Sequence, residues 1–376
     1  MPMATSAPRR RSRPARRLAL RQLALLAAAP LAAIRPASAQ SPAAVLAASW
    51  QEEGRQFAGL LSTASDHGMG PVHREAVPTR AHGIAAEPQG TVLVASRRPG
   101  DWLLRFDPRR QAPTAWCWSD GEHVFNGHVI ASGDGRRLFS TETSLESGAG
   151  SINVRAAGSF ELLARWPTAG IDPHELVLGP DGGLWVANGG IETHPETGRT
   201  KHHLDRMDSS LVRLDTASGR LTGQWRLADS RLGLRHLALA ADGTLGIALQ
   251  AEHDDAEAKS AAPVLAIWDR GSGLRAVALP AGVALAGYGG SVARLRDGLA
   301  VSCPRANRVA RWKLGSGEAR WQAPLELSEA CPLAQGWCGG AGAVVHARTA
   351  AGVPAERWAL PAAVRLDNHW VLTAAA

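Results

Sequence analysis

The chain is short of several things at once. Its 376 residues include one tyrosine, five phenylalanines, four methionines and four cysteines. It has no heptad repeat, which excludes a coiled coil, and beyond its first forty residues no apolar run reaches the ~20 residues a membrane helix needs. G-x-S-x-G, the phosphate-binding loop and G-x-G-x-x-G are all missing, so nothing points to serine hydrolysis or nucleotide chemistry. Acidic residues are absent from residues 1–39, which hold eight arginines: Arg9, Arg10, Arg11, Arg13, Arg16, Arg17, Arg21 and Arg35. Without them the formal charge of +7 becomes −1, and the compositional case for nucleic-acid binding disappears with them.

That basic head is followed by a weakly apolar run over residues 23–34 and by Ala37-Ser38-Ala39 before Gln40. The order matches a signal peptide with an A-x-A cleavage site, and its apolar run is too short to span a bilayer. Arg16-Arg17-Leu18-Ala19-Leu20-Arg21 resembles the twin-arginine export motif, with Ala19 where Phe is preferred and Arg21 where Lys is preferred; an ordinary secretory signal is the alternative. Residues 1–39 are therefore expected to be a cleaved leader and 40–376 a single periplasmic domain with no membrane span, a monomer. An oxidising compartment permits disulfides among Cys117, Cys303, Cys331 and Cys338. Three pairings are open; Cys331 with Cys338 closes the shortest loop, and four small buried thiols are the alternative.

What the chain has in quantity is glycine, forty residues of it, between short Val/Leu/Ala runs, the pattern of β-strands joined by tight turns. Four of these units begin alike. His82, His128, His174 and His236 each open a strand that turns through Gly and runs back, with spacings of 46, 46 and 62 residues. Third and fourth strands follow in most units, as in residues 211–215 and 221–225 or 264–269 and 274–279. Four strands in about 45 residues is the mark of a β-propeller blade. Five units are legible from Ala81 to Trp321 and a weaker one over 332–348. Strands at 57–64 and 72–77 are expected to close the ring with strands at 358–364 and 369–373. The prediction is all-β: a seven-bladed propeller, with six blades or an open solenoid as the alternatives.

In a ring, matching positions converge on one axis. Four imidazoles there suit a transition metal, iron or copper foremost, with Glu142 and Glu175 as carboxylates that orient the rings. Two other roles stay open: a structural hydrogen-bond network, suggested by Gly127-His128, and acid–base catalysis. The long loops between second and third strands lie on the same face as the histidines. They carry Arg97 and Arg98, which suit a carboxylate or phosphate, and Asn188, Glu192 and His194 in a glycine-rich loop. Arg235, beside His236, is a further ligand-binding candidate. His202-His203 and His253-Asp254-Asp255 read as surface features.

Several stretches carry a family likeness: Arg80-Ala-His-Gly83, Arg97-Arg-Pro-Gly100, Phe125-Asn-Gly-His128, Ser140-Thr-Glu-Thr143, Pro173-His-Glu-Leu176, Leu234-Arg-His-Leu237, Gly198-Arg-Thr-Lys201 and, most specific, Ala187-Asn-Gly-Gly-Ile-Glu-Thr-His-Pro195. The chain resembles the exported bacterial family catalogued as domain of unknown function 1513 over roughly residues 55–340. The resemblance implies an export signal, a propeller and a setting beside periplasmic iron-uptake components such as imelysin-like and dihaem peroxidase-like proteins; it implies no reaction. The chain departs from the family pattern at Val129 and Ala131, at His202-His203 and at Asp208-Ser209-Ser210. The function expected is a periplasmic propeller binding a metal ion or small ligand at its axial mouth. A metal-dependent oxidoreductase or lactonase-like hydrolase is one alternative, and a protein-interaction platform is another.

Overall fold

The strands Val92–Ser96 and Trp102–Phe106 are buried along their whole length and apolar except at Ser96 and Arg105. Successive side chains of a strand point to opposite faces, so a strand buried throughout must have a neighbour on each side. Here Val92, Val94, Trp102, Leu104 and Phe106 enter one hydrophobic cluster, and Leu93, Ala95 and Leu103 enter another. Repeated along the chain, this two-sided burial makes sheets that stand face to face.

The computed structural model describes residues 44–373 apart from 66–67, 110–112, 195–196, 198–199, 316–317 and 347–354. The expected leader at 1–39, and Pro195, Gly198 and Arg199 of the quoted stretches, lie outside the described residues. Seven four-stranded antiparallel sheets follow one another. Blade 1 pairs three N-terminal strands, Val45–Glu52, Arg55–Ser65 and Gly68–Val77, with the C-terminal strand Arg365–Thr373. The innermost strands of blades 2 to 7 are Ala81–Ala86, His123–Ala131, Pro173–Leu178, Leu232–Leu239, Ser291–Arg294 and Leu333–Ala334. Each touches the next around a closed circle, and Arg365–Thr373 completes it. The described residues form seven hydrophobic clusters, one between each pair of neighbouring blades. Seven interfaces require seven blades and leave no open end, which rules out the solenoid and the six-bladed ring.

Ring closure differs in detail from the sequence expectation. The strand Glu356–Ala359, which contains Trp358, is the outer strand of blade 7, paired with Ala343–His346. The C-terminal strand instead pairs with Val45–Glu52, Val45 opposite Thr373 and Ala48 opposite Trp370. That first strand was not anticipated from the sequence. The turns expected from glycine are in place: Gly90, Gly135, Gly182 and Gly243 close the first hairpins of blades 2 to 5 with φ of 67° to 89°, a region open to residues lacking Cβ. The cysteines are free thiols. Leu333, not Cys331, lies opposite Cys338 in blade 7, so the register does not set those two side by side. Burial pushes the Cys331 thiol up to about 12. Among the described residues helix is confined to short pieces such as Ala256–Ala261, capped by Asp255. Among the described residues no helix is long and apolar enough to cross a membrane.

Candidate metal centre

Five of the seven innermost strands lose register with their neighbours at matching points. The breaks fall between Ala81 and Ile84, Phe125 and Val129, Pro173 and Leu176, Leu234 and Leu237, and across Leu366 to Trp370. The inner strands of blades 6 and 7 pair without a break. A β-bulge re-aims the side chain it carries, and each of these five carries a histidine: His82, His128, His174, His236 and His369. The histidines thus lie within the inner strands and not at their first residues.

The bulges bring the five rings together. Ring centroids lie 4.6 Å apart for His82–His369, 4.9 Å for His82–His128, 5.1 Å for His128–His174, 4.7 Å for His174–His236 and 4.4 Å for His236–His369. Across the group His82 is 5.5 Å from His174 and 5.9 Å from His236. Two glycines allow this approach. A Cβ on Gly127, where φ is +104°, would stand 2.7 Å from His82 Cδ2, and one on Gly83 would overlap the Gly127 carbonyl. Gly127→Ala should therefore displace the His82 ring and cost on the order of 1–3 kcal/mol for backbone strain. A lowered thermal midpoint together with a changed His82 imidazole NMR signal would show it, and an unperturbed ring signal would contradict it.

The rings are between 2% and 9% exposed. Burial, reinforced for each ring by neighbouring histidines or arginines, holds His82, His128, His174 and His369 well below the usual histidine range and His236 at about 3. They are neutral, the form in which imidazole donates to a metal. Their nitrogens find few partners. His82 Nδ1 and Nε2, His128 Nε2, His174 Nδ1 and His369 Nε2 are buried without a hydrogen bond among the described residues. Such orphaned atoms are rare in proteins, and each demands a reason. None of the five rings bonds a main-chain carbonyl among the described residues. Donor atoms of His82, His128 and His174 lie within 4.8 Å of one another, as do those of His82, His236 and His369, and those of His128, Glu175 and His236.

The two glutamates expected to orient the rings have different surroundings. Glu175 Oε2 meets His236 Nδ1 at 3.1 Å and accepts from the Leu237 amide at 3.0 Å; its other oxygen is 3.7 Å from His128 Nδ1. Burial raises its carboxyl above the usual range, opposed by His128 and the Leu237 amide. Glu142, in contrast, is engaged inside blade 3, where Arg155, Ser140 and Asn153 bond its two oxygens at 2.5–2.6 Å.

The ligand candidates divide as well. Arg98 pairs with Asp172, which also accepts from Arg235 Nη1 at 2.6 Å. A cavity of ≈ 370 Å³ is lined by Arg98, Asp172, Glu192 and His194, with Glu192 and His194 paired at 3.0 Å. Arg97 lies near enough to lower His82 and His369. Asn188 is wholly buried and bonds the Thr168 carbonyl and Ser210, so it fastens the loop rather than facing the cavity. Ser209 of the departing Asp208-Ser209-Ser210 run accepts from the Leu234 amide and donates to the Asn188 carbonyl, while Asp208 pairs with Arg226. His253 pairs with Asp229 near the surface. His369 was missed, because Asp367-Asn368-His369-Trp370 opens no strand-turn-strand unit: its blade is completed from the other end of the chain.

The family model described as protein of unknown function DUF1513 matches residues 75–373. The chain belongs to this family. The matched stretch contains all five axial histidines, so the cluster is internal to the DUF1513 region. No curated protein matches significantly. Among solved structures, Kuenenia stuttgartiensis hydrazine synthase aligns with a TM-score of 0.54 at 15% identity, covering 76% of this chain and 89% of that one. A streptogramin B lyase aligns with a TM-score of 0.51 at 16% identity, covering 75% and 83%. At such identities the likeness to this DUF1513 chain is one of fold alone.

Proposed function

We propose that this DUF1513 protein is an exported, periplasmic propeller that holds a transition-metal ion, iron or copper by donor type, among its axial histidines. One observation carries the reading: five inner strands break register to deliver five buried, neutral imidazoles to one point, and five of their nitrogens have no partner among the described residues. Nitrogen donors without thiolate suit such ions. His82 belongs to two of the three donor sets, with His128 and His174 or with His236 and His369. Glu175 holds His236 as carboxylates commonly hold a ligating imidazole. When bound, the ion would supply a Lewis-acid or redox centre. The periplasmic setting and a role in metal handling beside an uptake protein draw support from the arginine-rich leader and the family likeness.

Metal analysis of the mature protein purified from the periplasm tests the reading. About one transition metal per chain is expected, falling at least tenfold in His128→Ala with His174→Ala, a loss of about 1.4 kcal/mol or more in binding. Trace metal that is unchanged in the double variant would reject it. A metal-dependent enzyme is the second reading, favoured by the cavity beside Arg98 and Asp172; ion-dependent turnover of a small molecule separates it from a carrier.

A further inference from the structure

The long-loop side of the histidine cluster holds charge of the wrong sign for a bare cation. Arg235 adjoins His236 in the bulge of blade 5 and is 1% exposed. Its Nη1 donates to Asp172 Oδ2 at 2.6 Å, while its Nε and Nη2 are buried with no hydrogen-bond partner among the described residues. Asp172 is shared with Arg98, so two guanidiniums stand on one carboxylate. Gly189 makes room for the pair, since a Cβ there would lie 2.4 Å from Asp172 Oδ2 and 2.5 Å from Arg235 Nη1. Arg235 is close enough to the cluster to lower both His174 and His236.

The chemistry of that edge is specific. Nε–H and Nη2–H of one guanidinium are parallel donors, and they match two oxygens of a single carboxylate or phosphate. Leaving both unbonded in the interior forfeits their hydration with nothing in return. A divalent ion among neutral imidazoles would add two more positive charges beside this arginine. An anion bound between them relieves both problems.

We propose that Arg235 is the anchor of an oxyanion site, which takes a small carboxylate or phosphate side-on at Nε and Nη2 beside the histidine cluster. The site itself needs only Arg235; its coupling to an ion rests on the metal-binding reading. Asp172, which Arg235 bonds, also lines the ≈ 370 Å³ cavity together with Arg98.

Calorimetric titration with oxalate and with inorganic phosphate, on chelator-stripped and on Zn²⁺-loaded protein, tests this. Stripped wild type should bind at least one of the two anions, and whichever binds more tightly names the class. Arg235→Lys keeps the charge but loses the paired donors, and should weaken binding at least tenfold. Asp172→Asn removes the competing carboxylate and should tighten it, which keeps the test usable if the Arg235 variant does not fold. No binding of either anion by stripped wild type, or equal binding by Arg235→Lys, would overturn the proposal. Zn²⁺ uptake is read separately. If anions bind to Arg235 but the protein takes up neither Zn²⁺ nor iron nor copper, the metal reading fails while the oxyanion site stands.

Discussion

Stripped of metal, the protein is expected to lose most of its folding stability between pH 7.5 and pH 5.5. The cause is the five buried rings. In the unfolded chain each histidine takes a proton near pH 6.5, whereas in the fold burial keeps them neutral, His236 down to about 3. Above pH 7 both states are neutral and the term vanishes. As pH falls below 6.5 the unfolded state binds protons that the folded state refuses, so stability falls, and the loss continues until the folded pKa is reached. One pH unit below 6.5 each ring that stays neutral contributes on the order of 1 kcal/mol, so five together become comparable with the whole stability of a typical domain, about 5–15 kcal/mol. Urea unfolding followed by tryptophan fluorescence at pH 7.5, 6.5 and 5.5 in the presence of a chelator measures it. His369→Phe should remove about one-fifth of the pH dependence. A urea midpoint that stays level over this range would show that the native rings accept protons, and the neutral cluster would have to be abandoned. A bound ion should extend the stable range to lower pH, because acid must then displace the metal as well.

Glu142→Ala should be strongly destabilising although it lies outside the cluster. The Glu142 side chain is 2% exposed and that of Arg155 is 7% exposed. Arg155 also lies over the Phe125 ring at 5.1 Å, tying the outer part of blade 3 to the strand that carries His128. Removing the carboxylate strands a buried guanidinium and is expected to cost about 3–5 kcal/mol. Glu142→Leu combined with Arg155→Leu should cost less than the single change, since no charge is left behind. Thermal and urea unfolding measure both. Because Glu142 is bonded to blade 3 residues and not to an axial ring, metal content per folded molecule should be unchanged in the variants. Loss of metal without loss of stability would instead return Glu142 to the role of orienting the histidines.

Much of the fold was legible because blades repeat. The turn glycines, the alternation in Val212-Arg213-Leu214-Asp215 and the recurring histidine are local features, and local features are written in consecutive residues. Blade 1 was harder. Its four strands come from both ends of the chain, so no single window of sequence contains the unit, and both Val45–Glu52 and the equivalence of His369 with the other four histidines escaped notice. Glu142 and Glu175 show the same limit. Each lies within a recognisable family stretch, yet one faces the rings and the other Arg155. Arg235 and Asp172 are 63 residues apart and meet through neighbouring bulges, a contact that no spacing rule anticipates.

By itself the amino-acid order determined an all-β propeller, the position of its tight turns and four residues destined for the axis, because strand period, turn chemistry and repetition act over a few residues. Only the tertiary structure decided that a fifth histidine joins them, that two blades contribute none, and that a half-satisfied arginine stands beside the group. Those outcomes depend on ring closure and on where each inner strand slips its register, and both are set by packing between sheets rather than within one.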